Sequence, residues 1–576
     1  MRSPVPTSGK KWEIAPPLAP SVFDQFPHLS PLMVQLLYNR GLTDREAMDL
    51  FLAGEWLDND PFLLQDMPRA VDVLVRSIRR REPIAVYGDF DADGVTSTAL
   101  LVQTLTALGA DVLPYIPHRV DEGYGLNLEA LRKLYGQGVR LVVTVDCGIR
   151  AVDEVNQARR GLEFIITDHH TVGPEMPFAS AVIDPQRKDC SYPFKRLAGV
   201  GVAFKLAQAL IREAPSCRIP VHIQERDLLD LVALGTVADL VPLKGENRAL
   251  VRQGLEVLNE GRREGVRALM NAARLRPGMI VASSIGYGLG PRLNAAGRLG
   301  DAKLSYQLLV TADRREAENL AGRLNERNRL RQQMTAQAYE LATQMALAEG
   351  EDALLLFAAD KGFMAGIVGL VAGRLTEAYY RPSVVVEIGE EECKGSCRSI
   401  PEFHITRALD ECRDLLVRHG GHAAAAGFTV RTENLEPLKL HLKEIAEREF
   451  AALSDADVEL APKLPIDTVV PLSEMNWELV ESLQRLEPCG EENPSPRFLS
   501  RGVPVANAQV VGSEGRHLKL LLGADGQTVD GIAFGMGPRL EELGDVVDVV
   551  YALEVNEWNG ERRLQLNVQD IRSSQL

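Results

Sequence analysis

The sequence predicts a multidomain α/β protein with a doubly wound parallel-sheet domain, a long connecting helix, a second α/β domain and a C-terminal β-barrel. Three observations lead to this prediction. Strand-like and helical patterns alternate from about residue 83 to 243, which is typical of a doubly wound parallel sheet. An unbroken helical pattern covers 315–350. Five strand-like runs separated by glycine turns follow residue 466, as expected of a small barrel.

A chain of 576 residues is too long for one hydrophobic core, so we expect several domains. We predict an N-terminal helical segment, a catalytic α/β domain, a helical connector, a second α/β domain and a barrel domain, with the boundaries 1–80, 81–243, 244–350, 351–452 and 453–576. The proline-rich residues 1–20 are expected to form a mobile arm. Thr43, followed three residues later by Glu46, is expected to cap a helix.

The overall composition favours a globular protein of a reducing compartment. Lys and Arg number 64 against 80 Asp and Glu, a net charge of −16, so any nucleic-acid contact must come from local basic clusters. The seven cysteines form no paired framework, which fits reduced thiols. The N-terminus lacks an apolar signal core, and no stretch approaches the roughly 20 apolar residues that span a membrane. We therefore expect a cytoplasmic protein without membrane contact.

The stretch PIAVYGDFDADGVTST, from Pro83, reads as a buried strand that ends in an acidic loop and feeds a helix. Asp89, Asp91 and Asp93 lie on alternate residues, and in extended backbone such residues point the same way. Three carboxylates on one side repel each other unless a cation lies between them. Open α/β sheets also bind ligands at the carboxyl ends of their strands. A metal site is one interpretation, and a solvated loop that caps a helix is the other.

Further strands of the same domain also end in acidic residues or histidine. LVVTVD ends at Asp146, FIITD is followed by His169 and His170, and a later helical stretch carries Asp239 at its end. Each could instead be a helix cap, a turn residue or a structural histidine. Together, however, Asp and His without Cys suit Mn²⁺ or Mg²⁺, and their number suits two ions. Two ions on the order of 4 Å apart suit phosphoester hydrolysis.

A glycine-rich stretch in the connector, SIGYGLGPRLNAAGRLGDA, contains Arg292 and Arg298. Glycine turns let backbone amides approach phosphate closely, and arginine binds phosphate through two nitrogens at once. Both arginines are therefore candidate contacts to a nucleic-acid backbone, the alternative being helix caps with exposed arginines.

The ordered set GDFDADG, VDCG, DHH and GTVADLVPL resembles the DHH phosphoesterase superfamily. HRVDEGYG, LAGVGVAFKL, GPRLNAAGRLGDA, GGHAAAAGF, EPCGEENPSPRF and NEWNG further resemble its RecJ branch, the 5′→3′ single-strand-specific DNA exonucleases. The resemblance covers the chain from about Val86 to the C-terminus. It identifies the three main domains as a catalytic DHH domain, a substrate-binding DHHA1 domain and a RecJ OB-type domain.

The resemblance also implies roles for individual residues. Two Mn²⁺ or Mg²⁺ ions would be bound by Asp91, Asp93, Asp146, His169 and Asp239, with Asp146 as the bridge. Asp89 would be a ligand or a neighbouring catalytic acid, and His170 would contact the scissile phosphate. The implied substrate contacts are Arg119 and Tyr124 beside the groove and Arg398, Gly421 and His422 in the DHHA1 domain, in addition to Arg292 and Arg298.

The function that the resemblance implies is metal-dependent hydrolysis of single-stranded DNA, 5′→3′, to mononucleotides in DNA repair and recombination. A helicase and a single-strand-binding protein are implied partners. ATP is not expected to be needed, since no GxxxxGK[ST] motif is apparent. One alternative is a small-substrate DHH phosphoesterase acting on nanoRNA, pAp or cyclic dinucleotides, which the C-terminal barrel and the N-terminal segment disfavour. The other is a non-catalytic replication scaffold, which the complete ligand set disfavours.

Overall fold

The structure is a computed structural model that describes residues 9–54, 59–119, 122–348, 350, 352–455, 460–512, 515–524, 527–558 and 561–574. The chain divides into two compact units. The first comprises Asp58–Val241 and Leu250–Leu460, and the second comprises Gly9–Leu57, Pro242–Ala249 and Ala461–Leu576. Among the helices in the described ranges, none combines the length and the apolar character needed to span a bilayer.

The N-terminal segment contains one strand and three helices: β1 (Lys11–Ile14), α1 (Pro20–Phe23), α2 (Pro31–Asn39) and α3 (Arg45–Ala53). The prediction that residues 1–20 form a mobile arm is wrong for β1, because this strand pairs in parallel with residues 463–466. A partner so distant in sequence leaves no local pattern. The predicted cap of α3 is wrong by one residue, because the side chain of Asp44, rather than Thr43, accepts a 2.8 Å hydrogen bond from the Ala47 amide.

The DHH domain contains a five-stranded, all-parallel sheet in the order β3-β2-β4-β5-β6. Its elements are α4 (Met67–Arg80), β2 (Ile84–Gly88), α5 (Ala92–Ala107), β3 (Val112–Tyr115), α6 (Leu128–Gly136), β4 (Leu141–Val145), α7 (Val152–Ala158), β5 (Glu163–Thr167), β6 (Ala181–Ile183), α8 (Gly199–Glu213) and α9 (Leu229–Ala238). Strands β2 and β4 are buried along their whole length, as their unbroken apolar runs predict. The predicted doubly wound sheet is confirmed.

The connector is helical, as predicted, and comprises α10 (Gly245–Glu260), α11 (Glu264–Ala272), a π-helical turn (Ser284–Leu289), α12 (Gly290–Arg298), α13 (Lys303–Val310) and α14 (Arg314–Ala348). Helix α14 has 35 residues and is therefore about 52 Å long. Its first half packs against α11 and α12, and its second half packs against the DHHA1 domain. The helix thereby joins the two α/β domains of the first unit.

The DHHA1 domain has a mixed sheet in the order β10-β11-β9-β8-β7. Its elements are β7 (Leu356–Asp360), α15 (Ala365–Tyr379), β8 (Ser383–Glu387), β9 (Glu392–Arg398), α16 (Ile405–Glu411), β10 (Leu416–Gly421), β11 (Ala425–Arg431) and α17 (Leu435–Asp455). Only β7 and β8 pair in parallel; β8, β9, β11 and β10 pair with one another as antiparallel neighbours.

The C-terminal region forms the predicted barrel. Its elements are β12 (Lys463–Ile466), β13 (Thr468–Val469), α18 (Trp477–Gln484), β14 (Phe498–Val511), β15 (His517–Ala524), β16 (Gln527–Ala533), β17 (Val546–Trp558) and β18 (Glu561–Ser573). Strands β14 to β18 form one sheet, and pairing of β14 with β17 closes it. Its core also contains apolar side chains of α2 and α3, so these N-terminal helices pack against the barrel.

Candidate metal centre

The predicted metal ligands meet at the carboxyl-terminal edge of the DHH sheet. Asp89 follows β2, Asp91 is the N-cap of α5, and Asp93 lies in the first turn of that helix. Asp146 follows β4, His169 follows β5, and Asp239 ends α9. Parallel strands β2, β4 and β5 are neighbours, so residues far apart in sequence converge at one edge.

The ligand atoms form three overlapping groups of three, within each of which they lie no more than 4.8 Å apart. The groups are Asp93, His169 and Asp239; Asp89, Asp91 and Asp146; and Asp146, His169 and His170. The third group connects the other two, and its Asp146 Oδ1 lies 3.1 Å from His169 Nε2.

In the absence of a cation, burial and mutual repulsion disfavour the charged forms of these carboxylates. Burial and the nearby charge of Asp91 raise the pKa of Asp89 well above its usual range. Burial and Asp93 do the same to the pKa of Asp146 and of Asp239. Burial raises the pKa of Asp93 itself to about 6. A divalent cation would reverse these shifts by pairing with the charged forms.

Unsatisfied polar atoms point to the same conclusion. Asp89 Oδ1, Asp146 Oδ1 and His169 Nε2 are buried and have no hydrogen-bond partner of suitable geometry among the described residues. Buried polar atoms normally have partners, and these three lie within the ligand groups. Carboxylate oxygens with one imidazole fit Mn²⁺ or Mg²⁺, as the sequence predicted.

The first turn of α8 packs against the acidic cluster and positions its carboxylates. Asp93 accepts hydrogen bonds of 2.7 and 2.8 Å from the amides of Gly199 and Val200, where the helix macrodipole favours a carboxylate. A β-carbon on Gly199 would lie 2.7 Å from both Cβ and Oδ1 of Asp146. Only glycine allows the helix to approach this closely.

Gly199→Ala is therefore expected to displace the Asp146 side chain and to lower the metal-dependent hydrolysis predicted for this site by about 100-fold, since small displacements of catalytic groups have effects of this size. Digestion rates over a Mn²⁺ titration would measure the loss. The control is Gly322→Ala, on an exposed turn of α14 where the added β-carbon meets no atom within 4 Å. Wild-type activity in Gly199→Ala would contradict this account of the site.

His170 is held by Asp168, a residue to which the sequence assigned no role. Asp168 Oδ1 lies 2.7 Å from His170 Nδ1 and also accepts from the amides of His169 and His170. Burial is the largest single influence and opposes the charge of Asp168, but the hydrogen bond and charge of His170, the charge of His169 and the Ile149 amide together lower the pKa of this carboxyl. The charged carboxylate fixes Nδ1 as a donor, which leaves Nε2 of His170 for a ligand.

A group of arginines lies next to the acidic cluster. Arg298 is half-buried at the end of α12, and its Nη1 donates to the Gly366 carbonyl of the DHHA1 domain. Burial, together with the nearby charges of Arg119 and Arg331 and a smaller effect of Arg398, lowers the pKa of Arg298 to about 10, whereas the nearby Asp91 opposes this shift. Arg331 Nε is buried without a described partner. The sequence did not single out Arg331, because a long helix with many arginines gives no signal for one of them.

The other predicted substrate contacts lie at different distances from this group. Tyr124 is at the centre, with its hydroxyl 3.4 Å from His170 Nδ1. Arg292 lies beside Arg331, but its guanidinium donates to Asn325 Oδ1 and the Gly288 carbonyl. Gly421 and His422 are exposed at the turn between β10 and β11, and no described hydrogen bond joins them to a metal ligand.

Comparison with known proteins agrees with this architecture. Family models match residues 83–236 (DHH family, N-terminal domain), 351–448 (DHHA1 domain) and 466–570 (RecJ OB domain). The single-stranded-DNA-specific exonuclease RecJ of Bacillus subtilis is 38% identical over 99% of this chain and 71% of its own length. That of Escherichia coli is 35% identical over 94% of this chain and 96% of its own. The chain belongs to the RecJ family of exonucleases.

A solved RecJ structure supports both the fold and the cofactor. The crystal structure of RecJ from Thermus thermophilus in complex with Mn²⁺ superimposes with a TM-score of 0.82 at 31% identity, covering 98% of this chain and 80% of that one. A second crystal structure of the same protein contains Mg²⁺ and gives a TM-score of 0.77. The predicted family, fold class and Mn²⁺ or Mg²⁺ cofactor are thus confirmed for this RecJ-family chain.

Proposed function

We propose that this chain hydrolyses single-stranded DNA from its 5′ end and releases mononucleotides, in DNA repair and recombination. The observation that carries the proposal is the connected ligand groups beside half-buried arginines in one unit. Carboxylates hold cations, and guanidinium groups hold phosphate, so the two together suit cleavage of a phosphodiester close to an anchored phosphate.

We assign the metal-ligand role to Asp91, Asp93, Asp146, His169 and Asp239, with Asp146 shared between the two positions. Asp89 lies in the same group as Asp91 and Asp146, which favours a direct ligand role for it. When bound, the divalent ions would supply a nucleophilic water of lowered pKa and neutralise phosphate charge.

We assign His170 to the scissile phosphate. Because Asp168 accepts from Nδ1, only Nε2 can contact an oxygen of the substrate. The Asp168 carboxylate thereby determines which ring nitrogen of His170 faces the substrate. Asp168 is a positioning residue in this scheme.

The arginine group suits a terminal phosphate better than an internal one. A 5′-terminal phosphate monoester carries more negative charge than a diester, and an anion bound beside Arg298 would relieve the unfavourable charges that Arg119, Arg331 and Arg398 exert on it. Anchoring the 5′ end there would place the next phosphodiester at the ligand cluster, which gives 5′→3′ polarity and a mononucleotide product.

The remaining assignments concern the cellular setting. We propose that a helicase and a single-strand-binding protein present the strand, since the sequence carries no GxxxxGK[ST] motif for unwinding by the chain itself. All seven cysteines are free in the structure, which supports a reducing compartment such as the cytoplasm.

A degradation assay with labelled strands tests the proposal. With Mn²⁺, a 5′-labelled single strand is expected to release its label early as a mononucleotide, whereas a 3′-labelled strand shortens gradually. A blunt duplex should stay intact, and no substrate should be degraded when EDTA replaces Mn²⁺. Faster turnover of short RNA or cyclic dinucleotides than of single-stranded DNA would instead support a small-substrate phosphoesterase.

A further inference from the structure

A polar cavity lies at the amino-terminal edge of the DHH sheet, at the opposite end of the strands from the metal centre. It has a volume of about 640 Å³ and is lined chiefly by Arg69, Arg140, Arg159, Arg160, Phe178 and Ser180. Arg140 directly precedes β4, and Ser180 directly precedes β6. Since the ligands follow the other ends of five-residue strands, the cavity is roughly 17 Å or more from the metal centre.

The charge of this cavity contrasts with the net charge of −16 of the chain. Within the described residues, none of the four arginines forms an ion pair with a carboxylate, although Arg140 donates to the carbonyls of Tyr135 and Val139 and packs on the Tyr135 ring. Glu163 is the one acidic residue of the lining, and it already accepts from Arg76 (2.5 Å) and from Ser180 (2.7 Å). Unpaired guanidinium groups in a concave surface attract an anion strongly.

Phe178 adds an aromatic surface to the cavity. Its side chain is 69% exposed, and the guanidinium of Arg159 lies 4.5 Å from the centre of its ring. The Arg159 contact holds the ring on one side, so the other remains open to a planar group. Exposed phenylalanine next to unpaired arginines is the combination that binds the base and the phosphates of a nucleotide together.

We propose that this cavity binds a free nucleotide, with its phosphates among the arginines and its base on Phe178. The volume lies in the range of small-ligand sites, and guanidinium groups match phosphate oxygens in pairs. The ligand chemistry is shared by the nucleoside monophosphates that the proposed exonuclease would release and by nucleoside triphosphates. The proposal does not depend on exonuclease activity, because the cavity shares no residue with the metal centre.

Calorimetric titration of the full chain with ATP, dTMP and pyrophosphate, in EDTA and at low salt, tests this proposal. EDTA removes divalent ions from the metal centre and so weakens nucleotide binding there. The pair Arg159→Ala/Arg160→Ala is expected to lower the affinity for ATP or dTMP by at least about tenfold. The matched control is Arg314→Ala/Arg315→Ala, which removes two exposed adjacent arginines on α14.

The variant Phe178→Ala distinguishes binding of a nucleotide from binding of phosphate groups alone. It should weaken binding of ATP or dTMP by several-fold and leave pyrophosphate binding unchanged. If the double variants Arg159→Ala/Arg160→Ala and Arg314→Ala/Arg315→Ala lower the affinity equally, the proposed site would be wrong. It would also be wrong if the wild-type protein binds neither nucleotide at about 1 mM. If pyrophosphate and the nucleotides bind equally and Phe178→Ala changes neither, the proposal that the ligand is a nucleotide would be wrong. Single-strand digestion by the cavity variants is expected at the wild-type rate, so failure of the proposed exonuclease function would be recognised separately in the wild-type protein.

Discussion

Asp146→Asn is expected to lower exonuclease activity by at least about 1,000-fold, because Asp146 is grouped with Asp89 and Asp91 and also contacts the candidate ligand His169. The residue occupies a left-handed backbone conformation, with φ of 60°. Asparagine is the substitute of choice, since apart from glycine it tolerates this conformation best and has the same shape. The backbone after β4 should therefore keep its path, and the loss can be assigned to the carboxylate.

Binding of single-stranded DNA by Asp146→Asn is expected to remain close to that of the wild type. The arginine group that we assign to phosphate is untouched by the substitution. Fluorescence anisotropy of a labelled oligonucleotide in EDTA measures binding, and mononucleotide release with Mn²⁺ measures activity. Asp153→Asn, which alters an exposed carboxylate in the first turn of α7, is the matched control. Substantial Mn²⁺-dependent digestion by Asp146→Asn would refute the shared-ligand assignment.

Saturating Mn²⁺ is expected to raise the midpoint of thermal unfolding of the unit that contains the metal centre by about 3 °C. The folded form holds three buried carboxylates and the half-buried Asp239, all with raised pKa values, whereas the unfolded chain exposes them to water. An ion that binds only the folded form at about 100 times its Kd stabilises it by about 2.7 kcal/mol. Differential scanning calorimetry with Mn²⁺ or EDTA measures the difference.

The Mn²⁺ effect is also expected to grow with pH. Asp93 has a pKa of about 6 in the folded chain against an ordinary 3.8 when unfolded, so the folded form binds more protons between these values. The metal-free fold therefore loses stability as pH rises through this window and carries the full repulsion above it. At about pH 5.5 protons compete with Mn²⁺ for the carboxylates, whereas at about pH 7.5 they do not.

Asp146→Asn serves as the internal control for this thermal experiment. It reduces the repulsion in the metal-free protein and weakens ion binding, so its Mn²⁺-induced rise should be much smaller than that of the wild type. An equal rise in both proteins, or a rise that is independent of pH, would show that Mn²⁺ stabilises the protein elsewhere.

Part of the fold was readable from the sequence because it depends on local periodicity. Apolar runs such as Leu141–Val145 predicted buried strands, and the pattern of 315–350 predicted α14. The strand Lys11–Ile14 was missed, because its partner lies more than 400 residues away. The cap of α3 was misplaced by one residue, because Thr43 and Asp44 are both good caps and only backbone geometry selects between them.

The sequence by itself determined which residues could bind metal, since acids and histidines at the ends of parallel strands must meet at one edge of the sheet. Only the tertiary structure placed Asp168 against His170 and showed which ligand atoms lie within 4.8 Å of one another. It also brought the charges of Arg119, Arg331 and Arg398 near Arg298 and formed the arginine cavity at the opposite edge. These features depend on side-chain directions and burial among residues from separate elements, which no local pattern encodes.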